Sequence, residues 1–379
     1  MKVMTPHYYK DFRCIAGACT DTCCAGWDVD VDKDSYKYYK TVKGAFGKRL
    51  KSVMVPSQDG ECTFTLQEGG RCPFLNDDNL CDLYIELGED KLCETCAEFP
   101  RFINDYGNIR EIGIAPSCKT AGELMFSYKD ELTFDTVEDN SLTLEPNDID
   151  AYTYMHLRQA RIVAFGIISD RDISIFERLM LYLDYAKRIQ KHLDAEKDEL
   201  IAGVAKRFCG ADYREELLDK LKSRDEKLHG KRLIKGLRHF FDDFKGMEVI
   251  NPDWNIHVAR VRQFLDGLAD DSGLAAVMKT YHAGSEAFAH EYEQLAMYYV
   301  YRYMLDAVND YDILLKAKNA VIGILAVDIM AAANQASGCM PDFTMRVDIA
   351  HLYSRQFEHS YYNCLLYTSP SPRDLSTSR

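Results

Sequence analysis

The sequence predicts a mainly α protein, in which a small Cys-rich metal-binding N-terminal domain with short β pieces precedes an all-α helical domain. Ten of the thirteen cysteines lie between Cys14 and Cys118, in a part whose glycines, prolines and turn signals leave few residues for a large core. From about residue 147 onward, apolar residues recur instead at helical spacing. The domains expected from this change are 1–125 (Cys-rich), 126–364 (helical) and 365–379 (a disordered or non-native tail).

The β pieces of the N-terminal part are short. Residues 27–32 and 62–66 alternate between apolar and polar side chains, as half-buried strands do. Glu68-Gly69-Gly70 is a turn signal. Such pieces bury little by themselves, so a bound metal would supply the missing stabilisation, because ligand binding becomes folding free energy.

The helical part opens with an N-cap signal at Asn147-Asp148-Ile149-Asp150. Glycines and prolines, among them Gly273, then interrupt the pattern. The amphipathic stretches that predict further helices are 174–208, 213–227, 231–245, 256–269, 284–307, 312–336 and 343–364.

Charge and hydropathy exclude two kinds of partner. The 379-residue chain has a net charge of −14, which is unsuited to nucleic acid because phosphate binding needs a concentrated basic surface. The N-terminus has no apolar signal segment, and the most apolar run, near Ala320–Val327, is far shorter than the ~20 residues of a membrane span. We therefore expect a cytoplasmic protein without a membrane partner.

The last residues break the helical pattern. Leu365 to Arg379 are rich in serine, proline and arginine and have no apolar face. They fit either a disordered tail or, as we favour, translated adapter or vector sequence on a truncated reading frame. On that interpretation the native C-terminus is missing.

The cysteine pattern predicts a metal site. A reducing compartment disfavours structural disulfides, and thiolates are soft ligands for zinc or for iron–sulfur clusters. Each such site needs about four ligands. Only one C-x2-C pair is present, so the irregular all-cysteine set favours an iron–sulfur cluster, with zinc as the alternative. The candidate ligands are Cys14, Cys19, Cys23, Cys24, Cys72, Cys81, Cys93, Cys96 and Cys118.

Two motifs carry a resemblance to a known family. The first runs from Phe12-Arg13-Cys14 through Cys23-Cys24 and Trp27 to Tyr36. The second runs from Cys72-Pro-Phe-Leu through Cys93-x2-Cys96 to Phe99-Pro100-Arg101. Together they resemble the flagellin lysine-N-methylase family, which belongs to a wider group with a zinc- or iron-chelating cysteine domain. The likeness covers about residues 8–124 closely and the helical remainder weakly.

The resemblance implies a protein lysine N-methyltransferase that acts on flagellin, with S-adenosylmethionine as methyl donor. Two other functions remain open on the residues alone. One is a non-catalytic zinc- or iron-binding protein whose helical part docks a partner. The other is a thiol redox module, which needs an exposed dithiol of low pKa; Cys93-x2-Cys96 is the candidate spacing.

The residues themselves give no catalytic or donor-binding site. The sequence lacks the glycine-rich strand-to-helix loop of Rossmann-type donor sites and the C-x3-C-x2-C motif of radical enzymes, so we expect a donor site of an uncommon type. The tyrosines of 298–303 are interpreted as core and surface residues of one helix, because aromatic stripes at helical spacing usually pack. Scattered histidines, among them His282 and His351, are read as surface or satisfied core residues.

Overall fold

Helices make up most of the protein in the computed structural model of the chain. The structure describes residues 1–57, 61–142, 148–228, 233–338, 340–360 and Asn363, and for 224–228 it describes the backbone alone. Within these ranges the helices far outnumber the short strands, which confirms the predicted mainly α fold. The domain boundaries stay a prediction. Asn147, Cys339, Cys364 and the tail 365–379 lie outside the described residues.

The helices follow one another along the whole chain. Their bounds are α1 Lys33–Thr41, α2 Gly44–Val53, α3 Asp82–Leu87, α4 Glu94–Glu98, α5 Lys119–Ser127, α6 Ala151–Ile168, α7 Ile175–Leu193, α8 Ile201–Phe208, α9 Ala211–Leu228, α10 Leu233–Asp243, α11 Asp253–Asp266, α12 Asp271–Ser285, α13 Ala289–Tyr303, α14 Ala307–Asp310, α15 Ile313–Ala336 and α16 Phe343–Glu358.

The strands form two small sheets. Their bounds are β1 Lys2–Pro6, β2 Asp30–Val31, β3 Met54–Pro56, β4 Cys62–Phe64, β5 Arg101–Tyr106, β6 Ile109–Ile114 and β7 Phe134–Glu138. One sheet has the order β5-β6-β1-β7, with β1 parallel to β6, and the other has the order β2-β4-β3. Asp30 pairs with Thr63 across β2 and β4, so the strands predicted at 27–32 and 62–66 are present and pair with each other.

Two apolar cores lie behind these sheets. The larger core joins the first sheet to the helices from α5 to α16. The smaller core lies within residues 24–96 and includes Val31, Tyr39, Phe64 and Phe74. Helix α15 runs through the larger core, and buried side chains occur on every side of it between Ala326 and Asn334, as expected of an interior helix.

A buried ion pair fixes the first sheet to the larger core. Glu111 of β6 and Arg161 of α6 are 0% and 3% exposed. The guanidinium donates hydrogen bonds to both carboxylate oxygens, one of them at 2.7 Å, and a further one to the carbonyl oxygen of Tyr301 at 3.2 Å. Strand β6 is therefore held to α6 and α13 by charge as well as by packing.

The helix predictions missed part of the structure, including the helices α1 to α5 of the Cys-rich part. The stretch 174–208 was predicted as one helix, but α7 ends at Leu193 and α8 begins at Ile201. Helix α12 was not predicted, because Gly273 was taken as a break. Instead, Asp270 accepts a hydrogen bond from the backbone N–H of Gly273 at 3.0 Å and so caps the N-terminus of α12.

Of the helices within the described ranges, none has both the length and the apolar character needed to cross a membrane.

Candidate metal centre

All nine predicted ligands are free thiols in the described part of the chain. Cys96 lies within α4, and the other eight lie outside the helices. Of these, Cys81, Cys93 and Cys118 immediately precede α3, α4 and α5. Backbone N–H groups at the starts of α3 and α5 favour the thiolates of Cys81 and Cys118, but burial outweighs them and raises the pKa of both thiols.

Five of the thiols belong to the smaller core. Cys24, Cys72, Cys81, Cys93 and Cys96 pack there with the aromatic side chains. The backbone N–H of Cys72 donates to the carbonyl oxygen of Cys24 at 2.8 Å, and that of Cys96 donates to Cys93 at 3.0 Å. Residues distant in sequence are thus brought into one thiol group, which we call the inner group.

The other four thiols form a second set, the outer group: Cys14, Cys19, Cys23 and Cys118. Burial raises the pKa of Cys118, and with smaller contributions from the nearby Cys19 and Cys14 the pKa reaches about 11. Burial also raises the pKa of Cys19, to which Cys14 contributes. The thiols of this set therefore lie close enough to influence one another's ionisation.

The adjacent pair Cys23 and Cys24 divides between the two groups. A hydrogen bond with Cys24 and then burial raise the pKa of Cys23, and Cys118 and Cys14 add to this. The same hydrogen bond lowers the pKa of Cys24, against burial, with help from the charges of Arg355 and Arg71. Adjacent cysteines need not bind the same metal, but in the structure the thiols of Cys23 and Cys24 form a hydrogen bond with each other.

The donor chemistry fits a soft metal, since a thiol set of this kind suits zinc or an iron–sulfur cluster. The inner and outer groups are the residues that would hold it. As positioned in the described ranges, however, no three His, Cys, Asp or Glu side chains converge to enclose an ion. The assignment of these cysteines as ligands therefore stays a prediction.

The burial of Cys93 argues against the alternative function as a thiol redox module. Cys93 is 0% exposed, and a hydrogen bond from Cys96 lowers its pKa despite burial. The pair thus has one thiol of lowered pKa, but that sulfur is shielded from an external disulfide. Thiol exchange needs access, so the geometry disfavours a redox module.

Asp21, between Cys19 and Cys23, joins the outer group to the helical part. Its carboxylate accepts hydrogen bonds from His351 Nε2 at 2.8 Å, from an Arg355 guanidinium nitrogen at 2.6 Å and from Asn251 Nδ2 at 2.7 Å. Burial alone would raise the pKa of Asp21, but the hydrogen bond from His351 and the charge of Arg355 lower it. Sequence analysis missed this residue, and its only local signal is an acid within a cysteine motif.

Trp27 also links the cysteine segment to the helical part, beside Arg355. Its ring stacks on His359 at 5.0 Å and lies 5.3 Å from the ring of Phe99. The guanidinium carbon of Arg355 lies over the indole at 4.3 Å. The turn before it depends on Gly26, whose φ is 95° and whose added Cβ would lie 2.3 Å from the carbonyl oxygen of Ile250. A side chain at position 26 would therefore push the cysteine segment away from the helices.

The tyrosines of 298–303 pack into the larger core. Tyr298, Tyr299 and Tyr301 are buried, and Tyr303 is partly buried. Tyr298 and Tyr303 donate to one oxygen of Glu358, each at 2.5 Å, and Arg302 donates to the same oxygen at 2.6 Å. Tyr301 donates to the carbonyl oxygen of Met4 at 2.7 Å. These hydroxyls are held by protein partners and fix α13 against α16 and the first sheet.

Fold and site together define a class: a mainly helical protein whose N-terminal part is built around grouped cysteines. A family model described as the FliB lysine N-methylase C-terminal domain matches residues 161–365. The chain therefore belongs to the FliB lysine N-methylase family. No solved structure matches it.

Three curated relatives extend this result. The chain is 31% identical over 122 residues to the flagellar biosynthetic protein FliU of Salmonella muenchen, which is 31% of this chain and 72% of that protein. It is 30% identical over 122 residues to the lysine-N-methylases of Salmonella choleraesuis and Salmonella typhimurium, in each case over 31% of this chain and 30% of the relative. The matched stretch thus spans less than a third of either lysine-N-methylase.

Proposed function

We propose that this protein is a lysine N-methyltransferase that methylates flagellin, takes the methyl group from S-adenosylmethionine and depends on a metal or iron–sulfur cluster held by its cysteines. The observation that carries the proposal is the match of residues 161–365 to the FliB lysine N-methylase C-terminal domain. Two relatives are named lysine-N-methylases, which supports methyl transfer to lysine as the reaction. The name of the third, a flagellar biosynthetic protein, supports the substrate.

Methyl transfer from S-adenosylmethionine to a lysine places two requirements on the protein. S-adenosylmethionine supplies an electrophilic methyl group on a sulfonium sulfur. The protein must hold a lysine side chain in line with that methyl group and remove the proton of its ammonium, because only the neutral amine has a free electron pair.

The cysteine groups support a structural role for the metal. The inner group lies in a small core that buries few large side chains, so metal binding would contribute folding free energy there. Asp21 and Arg355 then fix the outer group to α16. The proposal therefore expects the metal to be required for the correct junction of the two parts.

The test is methyl transfer by the full chain, purified without oxygen and incubated with purified flagellin and S-adenosylmethionine. Mass spectrometry of flagellin peptides detects methyl-lysine, and metal and sulfide are measured per chain on the same sample. Methyl-lysine that depends on the donor and on bound metal supports the proposal. Bound metal in a folded chain without methyl-lysine would favour the non-catalytic metal-binding alternative. Methyl transfer by a folded metal-free chain would overturn the metal dependence alone.

A further inference from the structure

Asp328 differs from the other buried acids in its partner. Among the described residues, three buried glutamates each bind arginine: Glu111 binds Arg161, Glu291 binds Arg346, and Glu293 binds Arg171 and Arg178. Asp328, in the middle of α15 and 2% exposed, instead forms its ion pair with His282 of α12. An arginine is permanently charged, whereas a histidine gains and loses its proton near neutral pH. The charge balance of this site can therefore change.

The pair lies in a row of polar groups that leads from the interior to the surface. His282 Nε2 lies 3.0 and 3.2 Å from the two carboxylate oxygens of Asp328. Tyr292 donates a hydrogen bond to the same carboxylate, and its hydroxyl lies 2.9 Å from that of Tyr281. The His282 side chain is 34% exposed, whereas that of Asp328 is 2% exposed.

Packing fixes the orientation of the imidazole. The ring of Phe176 on α7 stacks on it at 4.5 Å with an interplanar angle of 27°. The bidentate contact with Asp328 fixes the direction of Nε2. An ionised carboxylate only accepts hydrogen bonds, so Nε2 carries the hydrogen in the neutral imidazole and Nδ1 keeps a free electron pair.

The groups around His282 are suited to an imidazole that takes up a proton. Burial raises the pKa of Asp328, and hydrogen bonds from His282 and Tyr292 offset only part of this effect. The charged groups beside the tyrosines are Glu291 and Arg346, which bind each other at 2.7 Å. An imidazolium at position 282 would thus be balanced by the buried carboxylate of Asp328.

We propose that His282, oriented by Asp328, accepts the proton of the substrate lysine ammonium. This inference rests on the proposed function and adds to it a catalytic residue, His282, and a positioning residue, Asp328. Both belong to the stretch that matches the methylase domain model.

In the proposed step, proton transfer precedes methyl transfer. Nδ1 of His282 takes a proton from the lysine Nζ, which leaves a neutral amine and an imidazolium paired with Asp328. The electron pair of Nζ forms the new N–C bond to the methyl group of the sulfonium donor. The S–C bond breaks and its electrons stay on sulfur, so the donor becomes a neutral thioether and the methylated Nζ carries the positive charge as a secondary ammonium. The half-exposed imidazolium then releases its proton to solvent.

The experiment compares the full-chain wild type with His282→Ala, Asp328→Asn and the matched control His290→Gln. His290 is also partly buried, but its ring bonds a backbone carbonyl, that of Phe126, at 3.0 Å. We expect His282→Ala to lower kcat by about 10²–10⁴-fold, the usual contribution of a general base, with KM for flagellin little changed. Added imidazole should restore part of kcat in this variant alone. Asp328→Asn should lower kcat without being rescued by imidazole, and His290→Gln should retain activity.

A second readout does not depend on turnover. Nitrogen NMR of the imidazoles should show neutral His282 with its hydrogen on Nε2, and Asp328→Asn should abolish this preference. Full activity of His282→Ala, or a hydrogen on Nδ1 of neutral His282, would overturn the inference and leave the proposed function standing. Absence of methyl transfer by the folded, metal-loaded wild type would overturn both.

Discussion

Asp21 and Arg355 are 334 positions apart in sequence and form an ion pair at 2.6 Å. The second terminal nitrogen of Arg355 donates to the carbonyl oxygen of Ala25, also at 2.6 Å. One arginine of α16 therefore holds both ends of the segment that carries Cys23 and Cys24. Its side chain is 3% exposed and that of Asp21 is 22% exposed, so the pair is shielded from water and from screening by salt.

Asp21→Asn should loosen this junction. The amide keeps the shape of the carboxylate but leaves Arg355 without its counter-charge, and breaking a buried pair from one side costs about 3 kcal/mol. Urea denaturation should show a loss of about that size in the free energy of unfolding. Asp28→Asn, at an exposed position seven residues later, is the matched control and should change stability by less than about 0.5 kcal/mol. Equal effects of the two variants would contradict a specific role for the pair.

Cys96→Ala should lower both metal content and stability. Cys96 belongs to the inner group of thiols in the smaller core, and a missing ligand removes part of the folding free energy that metal supplies. Metal analysis and circular dichroism should show metal loss together with a lower melting temperature. Cys209→Ala is the control, because Cys209 is a free, exposed thiol outside both groups. Unchanged metal content and melting temperature in Cys96→Ala would remove Cys96 from the ligand set.

The cysteine motifs could be found from the sequence because metal ligands must be particular residue types at short spacing. Helical periodicity likewise indicated most of the helices. The contacts of Asp21 with His351 and Arg355 could not be predicted, since they join positions more than 300 residues apart and each residue alone looks like an ordinary surface charge. The dyad of His282 and Asp328 was missed for a related reason: α12 was not predicted, so His282 had no helix face to be placed on.

Helical spacing alone indicated that tyrosines of α13 pack in the core. Tyr298 and Tyr301 are buried at helical spacing on α13, and such spacing is typical of packing. The hydroxyl of Tyr298 is satisfied by a hydrogen bond to Glu358, which lies on another helix, α16. Sequence spacing thus identified the buried face but not the polar atoms that satisfy it.

Gly323→Ala should test how closely α13, α15 and α16 pack. An added Cβ at position 323 would lie 2.9 Å from the hydroxyl oxygen of Tyr299 and 3.1 Å from a ring carbon of Tyr353. Alanine favours a helix over glycine by about 1 kcal/mol, but overpacking a core costs about 1–3 kcal/mol. We therefore expect net destabilisation of about 1 kcal/mol, measured by urea denaturation.

Tyr299→Phe gives this prediction its control, because it removes the oxygen nearest to the new methyl group. The single variant should be nearly neutral, since Tyr299 is a core residue. The double variant should be more stable than the sum of the two single effects predicts, which is the sign of a direct contact. Additive effects would mean that the helices move apart to accept the methyl group.

His257 should make folding stability depend on pH. It lies on α11 and is 9% exposed, and its Nδ1 finds no hydrogen-bond partner among the described residues. Burial and the charge of Arg260 lower the pKa of His257, against smaller opposite effects of Asp348 and Asp253. The unfolded chain therefore binds the proton more readily than the folded one. As the pH falls below about 6.5, the free energy of unfolding should fall by at most about 1.4 kcal/mol per pH unit from this residue.

His257→Leu should remove this contribution, because leucine fills a similar space and cannot take up a proton. Urea denaturation between neutral and mildly acidic pH should give a shallower slope for the variant than for the wild type. His239→Gln is the matched control, since the His239 side chain is 81% exposed and its replacement should leave the slope unchanged. If His257→Leu keeps the wild-type slope, the acid sensitivity arises at other groups and folding does not lower the pKa of His257.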